Sequence, residues 1–255
     1  MAELFATKIV ELEERLSRVE YNANNELKII NLDDAVQRVK ADVEQRSVFT
    51  SIFITVPSNY YSWSLEQRAN LLNCHVNQLC KSIIMENTSC TEKNCSDPTN
   101  SKYYCVVLQY NTKLDEDKLR SLIINLRSNK AERLSKSKVT LRLVASEMND
   151  KMTGFSHNAV SPFGINTELG RSVPILLSKA LYSHCVSFSG GVDKHNKDNT
   201  NSTPNKPTPN HYLYLGGGHV DVKLGMSIHD FVRISDCKIG DITNSRAAKD
   251  EEDNE

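Results

Sequence analysis

The hydrophobic repeat changes period near residue 46, and this change limits the chain to a helical segment followed by a domain of another kind. Phe5, Ile9, Leu12, Leu16 and Val19 are spaced four, three, four and three apart, a heptad seam flanked by Glu11, Glu13, Glu14, Arg15 and Arg18. The phase breaks around residues 22–25 and resumes with Ile29, Leu32, Val36, Val39 and Val43. Each stretch is short, and an isolated helix of that length is marginal in water, so its apolar stripe requires a partner. Intermolecular coiled-coil assembly, with a second copy or with another protein, is the favoured expectation for residues 1–46. A helical hairpin folded back on the domain behind it is the alternative.

Beyond residue 46 the pattern is that of a sheet. Val48, Phe49, Ile52, Phe53, Ile54 and Val56 fill residues 47–56 with β-branched and aromatic side chains, and Pro57 ends the run. Ser64 with Gln67 is a capping-box pair that opens a helix through Leu72. A short helix over 75–80 feeds a strand over 81–86, and the polar stretch 87–102 reads as a loop. A strand over 103–110, an amphipathic helix over 114–126 and a strand over 139–144 follow. Further strands are expected over 173–176, 185–188, 212–215 and 220–224, and a helix over 227–234 capped by Ser227. Many strands mixed with few helices imply an α+β domain with a mixed or mainly antiparallel sheet. The Asn-, Lys-, Thr- and Pro-rich residues 190–210 are expected to be a flexible insertion, and the acidic residues 243–255 a disordered tail.

Charge and cysteine usage exclude several classes. Thirty-one basic against thirty-two acidic residues leave a net charge of −1, without the basic excess of a protein that coats nucleic acid. A chain like this that acts on RNA would grip only an end, or rely on a partner for basic surface. Seven cysteines, odd in number and scattered, do not make a disulfide framework and suit a reducing compartment. Cys90, Cys95 and Cys105 lack a CxxC pair and a neighbouring histidine, so no metal is expected there. No apolar run approaches membrane-spanning length, and the acidic N-terminus does not resemble a secretory signal, so a cytoplasmic location is expected. No GxxxxGK[ST], GxGxxG or HExxH motif is present, and no cofactor is expected.

Three segments carry the chemistry. Lys81 begins an apolar strand, where its ammonium must reach water, a counter-ion or an anionic ligand; a snorkelling lysine at a strand end is the plainer alternative. The second is Thr153-Gly154-Phe155-Ser156-His157-Asn158-Ala159-Val160-Ser161-Pro162-Phe163-Gly164. Glycine at both ends with Ser-Pro between them forces a turn-rich loop able to aim backbone N–H groups at one point. His157 is either a base or a solvated loop histidine. The third is Gly216-Gly217-Gly218 with Asp221 shortly after, where glycine permits close approach of a ligand or simply makes a tight hairpin.

The order of these segments resembles the YbaK family, which includes the editing domain inserted in bacterial prolyl-tRNA synthetases. The resemblance rests on Cys80-Lys81-Ser82-Ile83-Ile84, on Thr153-Gly154 with Ser161-Pro162-Phe163-Gly164, on the glycines with Asp221, and on Cys237-Lys238-Ile239-Gly240-Asp241-Ile242. It spans about residues 47–242 and leaves residues 1–46 and 190–210 outside. It implies the family's α+β fold, with a mixed, mainly antiparallel sheet and flanking helices. It also implies hydrolysis of the ester joining a wrong amino acid, alanine or cysteine, to the tRNA for proline, so the partner would be an aminoacyl-tRNA 3′ end.

By the same resemblance Lys81, Asn158 and Asp221 are the candidate catalytic residues. Gly154, His157, Ala159, Val160, Ser161, Pro162, Gly216, Gly217 and Gly218 are the candidate substrate contacts. The amides of residues 158–161 would meet the ester carbonyl. Lys81 would hold a phosphate or ribose or polarise the carbonyl, and Asp221 would orient the substrate amine or Lys81. The chain departs from the family where Asn158 and Ala159 stand for glycines and where Gly216 stands for a frequent serine. Asn tolerates the left-handed region that such a glycine supplies. A non-catalytic module that binds aminoacyl-tRNA or docks in a synthetase assembly is the competing expectation. A coiled-coil adaptor with its pocket plugged by Phe155 or Phe163 is a third.

Overall fold

The structure, a computed structural model, describes residues 34–92, 94–187 and 211–245 together with Ile9 and Leu16. The expected insertion over 190–210 and most of the heptad stretch before residue 34 lie outside the described residues.

The fold is a mixed α+β domain. A five-stranded sheet runs β5-β2-β3-β6-β9, with β2 at Cys80–Asn87, β3 at Tyr103–Gln109, β5 at Leu141–Leu143, β6 at Ile175–Ser178 and β9 at Lys238–Gly240. β2 is antiparallel to β3 and β5, whereas β6 is parallel to β3 and β9. A three-stranded antiparallel sheet runs β1-β8-β7, with β1 at Ile52–Thr55, β7 at Tyr212–Gly216 and β8 at Val222–Ser227. A parallel bridge between Leu79 and Tyr214 brings β7 beside the start of β2, so the two sheets adjoin where the glycines and Lys81 were expected to meet. A two-stranded ribbon pairs β4, Thr112–Leu114, with β10, Thr243–Ser245. The expected disordered tail therefore begins with a paired strand.

Helix α1, Asp34–Gln45, packs on the domain behind it, the alternative weighed for this stretch. Ala35, Val36, Val39 and Val43 share one face at helical spacing, and all four are buried in the main core with Phe155, Ala159 and Phe163. Burying each valine is worth about 1.5–3 kcal/mol, far more than an exposed seam retains without a partner. The second half of the apolar repeat thus packs against its own domain. Gly164, in the left-handed region at φ +71°, lies against this helix, and a Cβ there would stand 2.5 Å from the Val39 amide nitrogen. Only glycine allows that approach.

The remaining helices follow local signals. In α2, Leu65–Leu71, the Ser64 hydroxyl accepts from the Gln67 amide and Gln67 accepts from the Ser64 amide, the reciprocal cap expected from the sequence. Helix α3, Glu116–Asn125, is capped by Asp115 and buries Leu119 and Ile123 against one face of the large sheet. Helices α4, Ser146–Thr153, and α5, Glu168–Arg171, flank the 154–164 turn. Helix α6, Lys179–Ser187, replaces the strand expected over 185–188: Leu181 and Cys185 are both fully buried one helical turn apart. Helix α7, Ile228–Ser235, begins at the expected Ser227 cap.

Candidate functional site

The 154–164 turn is built rigidly. Gly154 ends α4 at φ +74°, and Asn158 adopts the left-handed region at φ +64°. Asn is among the few non-glycine residues that take this conformation at modest cost, so the departure from glycine leaves the backbone path intact. Phe155, Ala159, Ser161 and Phe163 are buried, whereas Ser156 and His157 are exposed and Asn158 is half-buried. Helix α1 grips the turn at both ends. Arg38 donates to the carbonyls of Gly154 and Gly164 at 3.1 and 3.3 Å, and Asp42 accepts from the Gly164 amide at 2.8 Å. The Ala159 amide is consumed by the Ser156 carbonyl at 3.0 Å. Among the described residues, the amides of Asn158, Val160 and Ser161 meet no acceptor.

The three glycines fit that turn closely. A Cβ on Gly216 would lie 2.5 Å from the Val160 carbonyl oxygen and 3.0 Å from the Ala159 carbonyl, so a side chain there would collide with the turn's backbone. The Gly218 amide donates to the Ala159 carbonyl at 3.2 Å, with Gly218 at φ +95° against the Ala35 carbonyl of α1. Gly217 closes the β7–β8 hairpin by donating to Val222 at 3.0 Å. The structure therefore brings the second and third segments together. Phe155 and Phe163 pack into the core, Phe163 edge-on to Phe231 at 5.7 Å, and neither lines the cleft described next. The plug that a closed, vestigial pocket requires is not formed by either ring.

That cleft is narrow, with a volume of about 10 Å³, on the order of a single water, and is lined by Tyr60, Arg68, Leu72, Leu79, Cys80, Tyr110, Tyr214 and Lys223. Lys223, on β8 between Val222 and Leu224, is only 5% exposed. Its ammonium lies 4.3 Å from the Tyr61 ring centre and 5.2 Å from that of Tyr60. It donates to the Tyr61 hydroxyl and, at 3.4 Å, to the Val220 carbonyl. The Tyr61 hydroxyl in turn donates to the Asn158 carbonyl at 2.7 Å. One tyrosine thus ties a buried amine to the left-handed residue of the turn. Burial, and next the Arg68 guanidinium, push the Lys223 pKa down to about 7, while Asp221 pulls it the other way. Burial also holds the Tyr60 and Tyr61 phenols well above their usual range, so both are neutral donors.

Arg68 is held in place by the carbonyls of Trp63 and Tyr61 and lies over the rings of Tyr60, Tyr61 and Tyr110 at 5.2–5.8 Å. Lys81 reaches the same cluster: its ammonium is 5.8 Å from the Tyr110 ring centre. In register it pairs with Leu108 and shares a strand face with Ile83 and Met85, which pack on the α3 side. The opposite face carries Cys80 and Ile84, which pack with the turn residues Ala159 and Phe163. The cation tied through one phenol to the turn is therefore Lys223. Lys81 lies near the Tyr110 ring and is not one of the residues lining the cleft. Asp221 is felt electrostatically by Lys223, and its backbone carbonyl accepts from Val56 at 2.8 Å.

Lys223, Tyr61, Arg68 and Tyr110 were not singled out from the sequence. The signal for Lys223 is the one that marked Lys81: a cation inside an apolar strand. Its neighbours Val222, Leu224 and Met226 predict a buried strand, and Asp221 lies two residues before it. Arg68 and Tyr61 carry no comparable signal, because an arginine in an amphipathic helix and a tyrosine after Pro57 are ordinary.

No known family profile matches the chain, and no curated protein does. Among solved structures, one described as a candidate trans-editing enzyme for prolyl-tRNA synthetase superposes with a TM-score of 0.57 at 15% identity, covering 84% of this chain and all of the other. A scaffold protein from the computational grafting of linear epitopes gives 0.56 at 14% identity, with 84% and 100% covered. A hypothetical protein gives 0.53 at 14% identity, with 81% and 99% covered. At these identities the likeness is one of fold, and it is the YbaK-like fold that the motif order implies.

Proposed function

We propose that this chain is an aminoacyl-tRNA deacylase that hydrolyses the ester of a misacylated tRNA, with alanyl- or cysteinyl-tRNA for proline as the expected substrates. The observation that carries the reading is the connection from Lys223 through Tyr61 to Asn158, beside a turn with three uncommitted amides. The shared fold with a candidate prolyl-tRNA trans-editing enzyme supports it over most of the chain.

The chemistry follows from the residues. An ester needs no strong nucleophile, only a positioned water and stabilisation of the oxyanion that forms when it attacks. The amides of Asn158, Val160 and Ser161 supply that stabilisation. With a pKa near 7, a substantial part of Lys223 is the neutral amine at physiological pH. Its two hydrogens are directed to Tyr61 and Val220, and its lone pair is left for the cleft. It takes the proton from the attacking water as the carbonyl carbon–oxygen bond forms. The proton passes to the ribose oxygen as the ester bond breaks. Arg68 and Lys81, flanking Tyr110, hold the terminal phosphate and ribose. The cleft is too tight for a side chain as it stands and must widen to take one, which favours small amino acids; one methylene discriminates by about 1–3 kcal/mol.

The test is single-turnover hydrolysis of alanyl-tRNA for proline by Lys223→Met and Lys81→Ala. Loss of about 10²-fold or more in Lys223→Met, with a smaller loss expressed in KM for Lys81→Ala, is expected. Undiminished hydrolysis by both variants excludes the assigned roles. Binding of the aminoacyl-tRNA without turnover by the unaltered chain would identify a binding module instead.

A further inference from the structure

The chain's near-neutral total hides a concentrated basic segment. Residues 127–142 contain Arg127, Lys130, Arg133, Lys136, Lys138 and Arg142 against a single acid, Glu132, while the whole chain carries −1. The segment links α3 to the edge strand β5 and is held in two short 3-10 turns, Lys130–Glu132 and Lys136–Lys138. Arg127 and Arg142 are committed to Asp97 and Glu86. Arg133 donates to the Arg127 carbonyl at 2.9 Å. Lys130, Lys136 and Lys138 are exposed, and among the described residues none has a carboxylate within ion-pairing distance. Three like charges on one short, ordered segment repel one another unless an anion lies across them.

The segment is placed rigidly relative to the cleft. The Asn87 side chain donates to the Lys138 carbonyl at 3.0 Å and accepts from the Thr140 amide at 2.9 Å, fastening the segment to the C-terminal end of β2. Cys80, at the other end of the same strand, lines the cleft. Seven residue steps at about 3.3 Å put the two roughly 23 Å apart along one rigid strand. Seven positions apart, Cys80 and Asn87 point to opposite faces of β2, so this distance is a separation along the strand and not across one surface.

We propose that residues 127–142 form a docking surface for the phosphate backbone of an RNA helix, with Lys130, Lys136 and Lys138 as the phosphate contacts. The inference rests on the editing reading for the choice of RNA, but its test does not depend on turnover. The surface reads phosphate spacing and not sequence, because lysines on an exposed segment supply point charges without base contacts. It also explains how a chain of net charge −1 holds a polyanion: the positive charge is gathered where the helix lies.

The experiment measures binding of an uncharged tRNA transcript as a function of salt, for the full chain and for Lys130→Gln/Lys136→Gln/Lys138→Gln. Each phosphate contact contributes about one unit to the slope of log affinity against log salt. The triple variant is expected to lose about two to three units of slope and at least tenfold in affinity at low salt. The control Lys113→Gln/Lys179→Gln, with both side chains exposed elsewhere, is expected to retain the slope. Circular dichroism melts establish that each variant is folded. An unchanged slope in the folded triple variant overturns the proposal, as does an equal loss in the control. Charge-dependent binding to phosphatidylserine vesicles with none to RNA also overturns it, in favour of a membrane surface. A wild-type chain that binds RNA through these lysines but hydrolyses no aminoacyl-tRNA would sink the editing reading and leave this inference standing.

Discussion

Gly216→Ala tests the closeness of fit between β7 and the turn. The added Cβ would sit 2.5 Å from the Val160 oxygen and 3.0 Å from the Ala159 carbonyl carbon, where ordinary contact begins near 3.4 Å. Both neighbours are backbone, and α1 pins the turn from behind through Arg38 and Asp42. A retreat of several tenths of an ångström to nearly one ångström is therefore forced on residues 159–160. Overpacking of this kind costs about 1–3 kcal/mol, which a domain with 5–15 kcal/mol of stability survives. A misplacement of about 1 Å in catalytic groups costs about 10²-fold in rate. Single-turnover hydrolysis beside urea unfolding separates the two effects. Gly240→Ala is the control: the nearest atoms to its Cβ would be those of the flexible Leu122 side chain, at 2.6 Å, on the α3 side of the sheet. We expect Gly216→Ala to fold and to hydrolyse about 10²-fold more slowly, with Gly240→Ala near wild-type rate. A folded Gly216→Ala variant within about threefold of wild type refutes the role given to the turn.

Tyr61→Phe removes the hydroxyl between Lys223 and Asn158; deacylation should fall tenfold or more while urea unfolding shifts by only about 1 kcal/mol. Lys223 binds its proton more weakly in the folded chain than in the unfolded one, so the unfolded chain holds more protons above pH 7 and stability should rise with pH. The slope contributed by this group is at most about 1.4 kcal/mol per pH unit between pH 7 and about 8.5, below the range where buried thiols and phenols reverse the trend, and Lys223→Met should abolish it in denaturant titrations across that window. Removing residues 1–33 should leave a cooperative melting transition, whereas removing residues 1–46 takes away Val36, Val39 and Val43 and should abolish it.

The sequence made the elements with strong local signals legible. The Ser64–Gln67 cap, the apolar strands at 80–87 and 103–109 and the Ser227 cap needed no tertiary information. The apolar stripe at Val36, Val39 and Val43 announced a helix correctly, but a stripe does not name what covers it; the answer lay in Gly164 and the turn more than a hundred residues away. Strands β4, β9 and β10, of three residues each, are defined by their partners and have too little pattern of their own. The mistaken strand at 185–188 came from weighing β-branched and aromatic types at a helix end without the Leu181–Cys185 period. At the site, the turn and the glycines were visible as motifs and do meet. Lys223 carried the same signal as Lys81, a cation in an apolar strand, but that signal becomes distinctive only when both faces of the strand are covered. The basic segment was hidden by summing charge over the whole chain.

The central claim, that this cleft and turn cleave an aminoacyl ester, is tested most directly by incubating the full chain with a panel of aminoacyl-tRNAs and following release of the amino acid. The account predicts hydrolysis of alanyl- or cysteinyl-tRNA for proline well above the uncatalysed rate, little action on prolyl-tRNA, and a rate that climbs as pH rises toward 7 and then levels as Lys223 loses its proton. Release no faster than in buffer for every member of the panel would contradict it.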